Sequence, residues 1–390
     1  MRLFGKDISS VLVIGVVAVL VVASAGVYFM LKDEKADITI AWADKDCYEP
    51  FWIAQKMGFW EAEGVKVNGK IVANGAEVAS AILSGNADIG GMGADPLLRM
   101  LRDDPGASII TRYQAGSSHS EFVTKDGANG GKITIAGYNT AKSGGEAALK
   151  AYLYNAVLGA KVGMQVGTAY WSWFLGFLEN IGIDLETQLT MGSISTVDPN
   201  KVIIVPLNFN IQVAALERGE MDIISGGSPN TELALGLGPQ YFMIEDPDAK
   251  MTTICLMASG QAQAEKGDAI TKVLRGLQRA CDYIYSNPED AARIIEEVYG
   301  RNWSVAMQTS AFNKSIWGLD IVDTDVNPNA DVGALKKAAE LINAAGQETG
   351  GKLPTEISDR INREFMVAAG LPTDGFIARQ KLPEWGILPA

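Results

Sequence analysis

Hydrophobic positions follow three regimes along this chain. From Ile8 to Leu31 almost every residue is apolar, with no polar face. That length crosses a bilayer as a helix and exceeds the core of a signal peptide. Arg2 and Lys6 precede it, which predicts a cytoplasmic N-terminus and an extracytoplasmic remainder. Ala23-Ser-Ala25 resembles a cleavage site, but the apolar run continues past it, so an uncleaved anchor is expected.

Beyond Lys35 short apolar runs alternate with stretches of helical spacing. Strands are predicted at Ile38–Trp42, Val65–Asn68, Asp88–Met92, Ser108–Thr111, Glu121–Thr124, Lys161–Val166, Val202–Pro206, Met221–Ser225 and Thr252–Ala258. Helices are predicted between them, including Phe51–Gly58, Glu77–Leu83, Pro96–Leu101, Glu146–Leu158 and Ile211–Arg218, with another opening at Gly167. After Ala258 the pattern is mainly helical: Ala269–Ser286, Pro288–Tyr299, Val305–Lys314, Val332–Ala345 and Thr355–Ala369. Alternation of this kind indicates mostly parallel sheets.

One pattern occurs twice. Ala81-Ile-Leu-Ser-Gly-Asn-Ala-Asp-Ile89 and Ala215-Leu-Glu-Arg-Gly-Glu-Met-Asp-Ile223 each read as a helix end, a glycine stop and an aspartate entering a strand. Gly85 and Gly219 suit the left-handed residue that closes a helix, where a Cβ is penalised. Each copy runs on into a Gly- and Pro-bearing loop, Gly90–Pro96 and Ser225–Pro229. Two copies at one internal spacing predict two similar α/β lobes whose loops face a shared cleft.

These elements together resemble the solute-binding proteins of the nitrate/sulfonate/taurine and thiamine-precursor group served by ABC importers. The resemblance rests on Ile38–Pro50, on Ala54-Gln-Lys-Met-Gly-Phe-Trp-Glu-Ala-Glu-Gly-Val-Lys-Val67, on both glycine-stop motifs with Pro96 and Pro229, and on Lys161–Thr168. It implies a bilobal type II periplasmic-binding fold with a hinge, closing on a small molecule and presenting it to permease subunits. The expected division is an anchor and spacer over residues 1–36, a first lobe from residues 37–125 and 251–390, and a second lobe from residues 126–250. Three features depart from the family: the insertion-like Gly127–Leu158, Asp95 in the first-lobe loop, and the charged run Asp44-Lys-Asp-Cys-Tyr-Glu49.

Ligand contacts are expected from the carboxyl ends of the strands. Gly167 and Thr168 open a helix and can offer N–H groups and a hydroxyl to an oxyanion; the alternative is that Thr168 only caps its own helix. Trp42, Tyr48 and Trp171 are candidates for stacking on a flat ring or a quaternary ammonium, or else belong to the core. Asn208 and Ser228 supply polar groups from the second lobe. Asp46 and Asp95 favour a cationic or zwitterionic ligand if they face the cleft, and otherwise form a solvated rim. The expected ligand is a small organic oxyanion of the sulfonate, taurine or nitrate type, with a thiamine-pyrimidine-like or ammonium compound as the alternative.

Composition narrows the function classes. A formal net charge of −13 excludes a nucleic-acid surface built on clustered Lys and Arg. The one histidine, His119, lies in a Ser-rich turn, so a His-based triad or metal site would have to run through it. No nucleophile elbow, phosphate loop or dinucleotide fingerprint occurs, so neither catalysis nor a cofactor or metal is expected. Cys47, Cys255 and Cys281 permit at most one bridge. A sensory ectodomain of the same fold is the other non-enzyme reading.

Overall fold

The computed structural model describes residues 36–116, 122–225, 230–245, 252–299, 315–320, 331–346 and 350–371. The apolar run Ile8–Leu31, His119, Ser228 and the predicted helix Val305–Lys314 lie outside the described residues. Among the described residues no helix is long and apolar enough to cross a membrane.

Twelve described strands form two six-stranded sheets. The first sheet begins with β1 (Ile38–Ala43), β2 (Val67–Val72), β3 (Ile89–Met92) and β4 (Ser108–Gly116). The second contains β5 (Phe122–Lys125), β6 (Lys161–Met164), β7 (Leu189–Met191), β8 (Val202–Pro206), β9 (Ile223–Ser225) and β10 (Tyr241–Ile244). The chain then returns to the first sheet through β11 (Thr252–Ala258) and β12 (Ser315–Asp320). The strand orders are β12-β4-β11-β3-β1-β2 and β10-β5-β9-β6-β8-β7. In both sheets the first parallel strand lies between its two parallel successors: β1 between β2 and β3, and β6 between β8 and β9. An antiparallel strand follows beside β3 and beside β9. Such a reversal of strand order leaves a crevice at the carboxyl ends of the parallel strands.

The helices of the first half are α1 (Glu49–Lys56), α2 (Phe59–Ala62), α3 (Gly75–Leu83) and α4 (Ala94–Asp103). Next come α5 (Ile135–Ser143), α6 (Glu146–Val157), α7 (Ala169–Asn180), α8 (Phe209–Glu217) and α9 (Asn230–Leu235). The last five described are α10 (Gly260–Glu265), α11 (Gly267–Ser286), α12 (Pro288–Tyr299), α13 (Asp331–Ala345) and α14 (Glu364–Ala368).

The repeated motif folds the same way twice. Gly85 and Gly219 have φ of 71° and 73°. Past each glycine the next N–H donates back to the helix, Asn86 to the Ala81 carbonyl at 2.8 Å and Glu220 to the Ala215 carbonyl at 2.9 Å. This is the Schellman closure that glycine permits. The aspartates then splice the new strand to its neighbour. Asp88 accepts from the Thr39 N–H at 2.7 Å, and Asp222 accepts from the Lys161 N–H at 2.8 Å. Asp88 also receives Lys266 at 2.7 Å, and Asp222 receives the Asn129 N–H at 2.7 Å. Both carboxylates sit where β3 and β9 begin, at the opposite ends of these strands from the crevice.

Side-chain alternation on β1 puts Ile38, Ile40 and Trp42 on one face, and all three are fully buried. The Trp42 ring packs on Phe51 at 5.8 Å, Trp52 at 5.6 Å and Trp60 at 6.0 Å between ring centroids. A Cβ on Gly69 of β2 would lie 2.2 Å from Trp42 Cη2, so glycine there makes room for the indole. Helix α11 covers α1 and α2 on this side, and Trp60 Nε1 donates to the Val273 carbonyl at 3.3 Å.

One C-terminal feature differs from expectation. The predicted helix Thr355–Ala369 is reduced to a 3-10 turn, Ser358–Arg360, and α14. Here tertiary bonds override helix spacing: Arg360 donates to the carbonyls of Leu101, Asp104 and Ala107 at 2.6–3.1 Å, and Ile361 bridges to Ile109. Helix α13 lies against both α4 and α7, and so touches a helix from each sheet. Leu341 fills the space over Gly176, and Lys337 pairs with Glu179 at 2.7 Å. The insertion-like Gly127–Leu158 carries α5 and α6, of which only α6 is readable from apolar spacing; Tyr152 fastens the pair by accepting the Thr134 N–H at 2.8 Å.

Candidate functional site

The carboxyl ends of the parallel strands lead into α1 after β1, α4 after β3, α7 after β6 and α8 after β8. The two sheets meet at this edge. A Cβ on Gly93, the residue before α4, would lie 2.5 Å from Ala169 Cβ, the first residue of α7. On the other side Lys45, in the loop after β1, holds its Nζ 4.9 Å from the ring centroid of Phe209, the first residue of α8.

None of these helix starts carries a side-chain cap. The residues before α1, α4, α7 and α8 are Tyr48, Gly93, Thr168 and Asn208, and none caps its helix through a side chain. Helices α3, α5 and α10 carry caps, from Asn74, Thr134 and Ser259, whereas α2, α6, α11 and α14 also start without one. An N-terminus without a side-chain cap turns N–H donors and the positive end of the helix dipole outward.

Thr168 illustrates how the second sheet prepares its helix start. The residue is buried in extended conformation, and its hydroxyl donates to the Gln165 carbonyl at 2.8 Å instead of capping α7. Gly167 before it has φ of 84°, and a Cβ there would meet nothing within 4 Å. The Gln165 side chain accepts from the Phe209 N–H at 3.2 Å, which joins the starts of α7 and α8. That bond turns the amide nitrogen of Gln165, a double donor, the other way. Phe209 is further held by Tyr170, edge-on at 5.2 Å, and by Asn230, which donates to its carbonyl at 2.7 Å. Behind it Ser225 donates to Gln212 Oε1 at 3.2 Å, and Gln212 donates to the Leu207 carbonyl at 3.1 Å.

The other candidates divide by environment. Tyr48 is buried, with its hydroxyl donating to the Gly91 carbonyl at 2.9 Å, which ties the first loop to β3. Asp46 lies in the 3-10 turn Asp46–Tyr48. Asn208 is exposed. Trp42 and Trp171 have no exposed surface, and neither indole N–H has a hydrogen-bond partner among the described residues. Asp95 is fully buried one turn before Arg99, whose Nε meets its Oδ1 at 2.6 Å. Burial pushes the Asp95 carboxyl above its usual range, against the opposing pull of Arg99 and Arg102. Geometry therefore gathers Lys45, Gly93, Gln165, Gly167, Thr168, Tyr170 and Phe209 at one edge, and places Trp42 in the core.

Lys45, Gln165 and Phe209 were not among the residues expected from sequence to touch ligand. The signal for them is positional: each follows closely on a parallel strand. The three cysteines are thiols, with Cys255 and Cys281 buried. Among the described residues no group of three His, Cys, Asp or Glu could hold a metal ion.

Two sheets of matching strand order, with their carboxyl edges opposed, define the periplasmic-binding-protein fold. The aliphatic sulphonate binding protein SsuA from Escherichia coli shares it with a TM-score of 0.63 at 14% identity, over 85% of this chain and 98% of that one. The alkanesulfonate-binding protein SsuA from Xanthomonas axonopodis pv. citri, bound to MOPS, gives 0.62 at 14% identity, over 85% and 99%. The nitrate-binding protein NrtA from Synechocystis PCC 6803 gives 0.55 at 14% identity, over 85% and 88%. The sequence profile of the NMT1-like family matches residues 31–298, and the chain belongs to that family. No curated protein sequence matches it.

Proposed function

We propose that this protein is the solute-binding component of an ABC importer and captures a small organic oxyanion of the sulfonate, taurine or nitrate class. The observation that carries this reading is the meeting of α4, α7 and α8, all without side-chain caps, where the two sheets adjoin. Backbone N–H groups at such starts bind sulfonate or carboxylate oxygens without needing a basic side chain. Three of the proteins that share the fold are named as sulphonate or nitrate binders, one of them with MOPS bound. Asp95 does not oppose an anion, because burial disfavours its charged form and Arg99 already pairs with its carboxyl group.

In this reading the two sheets are the lobes and close over the ligand; the first lobe, expected as residues 37–125 with 251–390, gives up β5 (Phe122–Lys125) to the second, expected as residues 126–250, because β5 pairs within the second sheet. Gly167, Thr168 and Asn208 line the second lobe's share of the cleft, and Tyr48 and Asp95 shape the first lobe's share. The apolar run Ile8–Leu31 tethers the receptor to the membrane with the binding domain outside, where it meets the permease. The protein is a receptor and not an enzyme. One observation favours a heteroaromatic ligand instead: Tyr170, Phe209 and Trp173 cluster at the edge, with ring centroids 4.9 and 5.2 Å apart.

A thermal-shift screen of the full chain separates the two. A ligand that binds only the folded state stabilises it by about 2.7 kcal/mol at a hundredfold excess over its dissociation constant. Ethanesulfonate, taurine or nitrate is expected to raise the melting temperature. A shift confined to a thiamine pyrimidine or choline would replace the oxyanion with a ring or ammonium ligand.

A further inference from the structure

The Lys45–Phe209 contact joins the two sheets through one charged side chain. Lys45 belongs to the loop leaving β1, where the Tyr48 N–H donates to the Lys45 carbonyl at 3.0 Å. Phe209 starts α8 and is fixed from three directions, by Gln165, Tyr170 and Asn230. Gln165 and Asn230 hold its backbone and Tyr170 meets its ring edge-on, whereas lysine has a flexible four-carbon stem. The ring lies at a helix start without a side-chain cap, where an anion is favoured and an ammonium is not. A cation over an aromatic face gains modestly, less than it gains from an oxyanion in the same partly enclosed space.

We propose that Lys45 is a charge-reading latch: it rests on Phe209 across the cleft and exchanges the ring for the anionic group of an arriving ligand. This rests on the oxyanion reading of the site and adds to it the residue that makes closure respond to ligand charge. An anion between the sheets bridges Lys45 from one side and the starts of α7 and α8 from the other. A neutral ligand of the same shape leaves Lys45 on the ring and gains no such bridge. Phe209 thus sets the threshold, since its hold on Lys45 competes with the ligand.

Two measurements on the full chain test the latch separately from the site. By calorimetry, K45Q is expected to bind ethanesulfonate roughly tenfold more weakly than the parent, K45R to retain most of the affinity, and F209L to bind at least as tightly. Affinity in the parent is expected to fall with added salt, and in K45Q to be nearly flat. Without ligand, small-angle scattering is expected to show K45Q and F209L more extended than the parent, with the double variant no more extended than either. Unchanged affinity and salt dependence in a folded K45Q, or additive expansion in the double variant, would overturn the latch and leave the oxyanion site standing. Failure of the parent to bind ethanesulfonate or nitrate would overturn both.

Discussion

A single added methyl group at Gly93 tests whether the two sheets meet as tightly as described. Gly93 has φ of −85°, so alanine is free of backbone strain there and only the space around it matters. Its Cβ would lie 2.5 Å from Ala169 Cβ, with Ala169 Cα at 3.7 Å and Ile254 Cδ1 at 3.9 Å. Carbon atoms pack best at about 3.5–4.0 Å. The starts of α4 and α7 must therefore part by roughly 1 Å, and neither colliding atom has a rotamer to turn away. Overpacking of this kind costs about 1–3 kcal/mol. If the core absorbs the strain, G93A lowers the urea midpoint. If the sheets swing apart instead, folding stability barely changes and ethanesulfonate affinity falls, about tenfold for each 1.4 kcal/mol. A169G removes the colliding atom, so G93A/A169G is expected to recover most of the loss, a coupling of about 1–3 kcal/mol in a double-mutant cycle. A G93A protein with unchanged midpoint and affinity, or a penalty that A169G leaves intact, would refute the close approach.

Other expectations follow from single features. G85A and G219A are each expected to lower stability by about 1–2 kcal/mol in urea unfolding, by similar amounts, because both sites need a left-handed residue and neither has a neighbour within 4 Å for a Cβ to touch. D222A strips two backbone N–H groups of their acceptor and is expected to cost about 1–3 kcal/mol for each one left unsatisfied; a loss well below that range would show that water replaces the carboxylate. Because the folded Asp95 carboxyl is raised above 3.8, the folded state holds its proton longer than the unfolded chain. The stability this contributes is present below pH 3.8 and is lost as pH rises through the folded value. D95N is therefore expected to gain on the parent as pH rises through that window, and a difference independent of pH in urea titrations would contradict it.

The parts of the fold legible in sequence are those with local causes. Gly85 and Gly219 mark their own dihedral angles, and the aspartates three residues later mark strand starts, so both repeats are placed by residue pattern alone. The strands at Ile38 and Lys161 follow from apolar runs. The strand Ser315–Asp320 owes its pairing to β4, distant in sequence, and Leu189–Met191 is too short to show a period. The segment 355–363 has helical spacing but is drawn onto β4 and the end of α4 by Arg360 and Ile361. Trp42 is readable as a core residue, because alternation places it with Ile38 and Ile40. Asp95 is expected from sequence in the loop before a helix at Pro96; the helix instead begins at Ala94, which puts Asp95 one turn before Arg99.

The sign of charge at the cleft edge is where sequence and structure diverge most, and the divergence has a physical origin. Composition is acidic, and the first loop and Asp95 add acids near the expected site, which invites a cationic ligand. Yet field at a site depends on which charges are already paired and which dipoles point inward. Arg99 holds Asp95, and burial disfavours its ionised form. The whole-chain charge is screened beyond about 8 Å at physiological ionic strength. At the junction stand Lys45 over Phe209, Gln165 and the helix starts of α4, α7 and α8. Of these only Lys45 is visible to a count of charged residues; the donors that favour an anion are peptide groups, present in every sequence and oriented only by the fold.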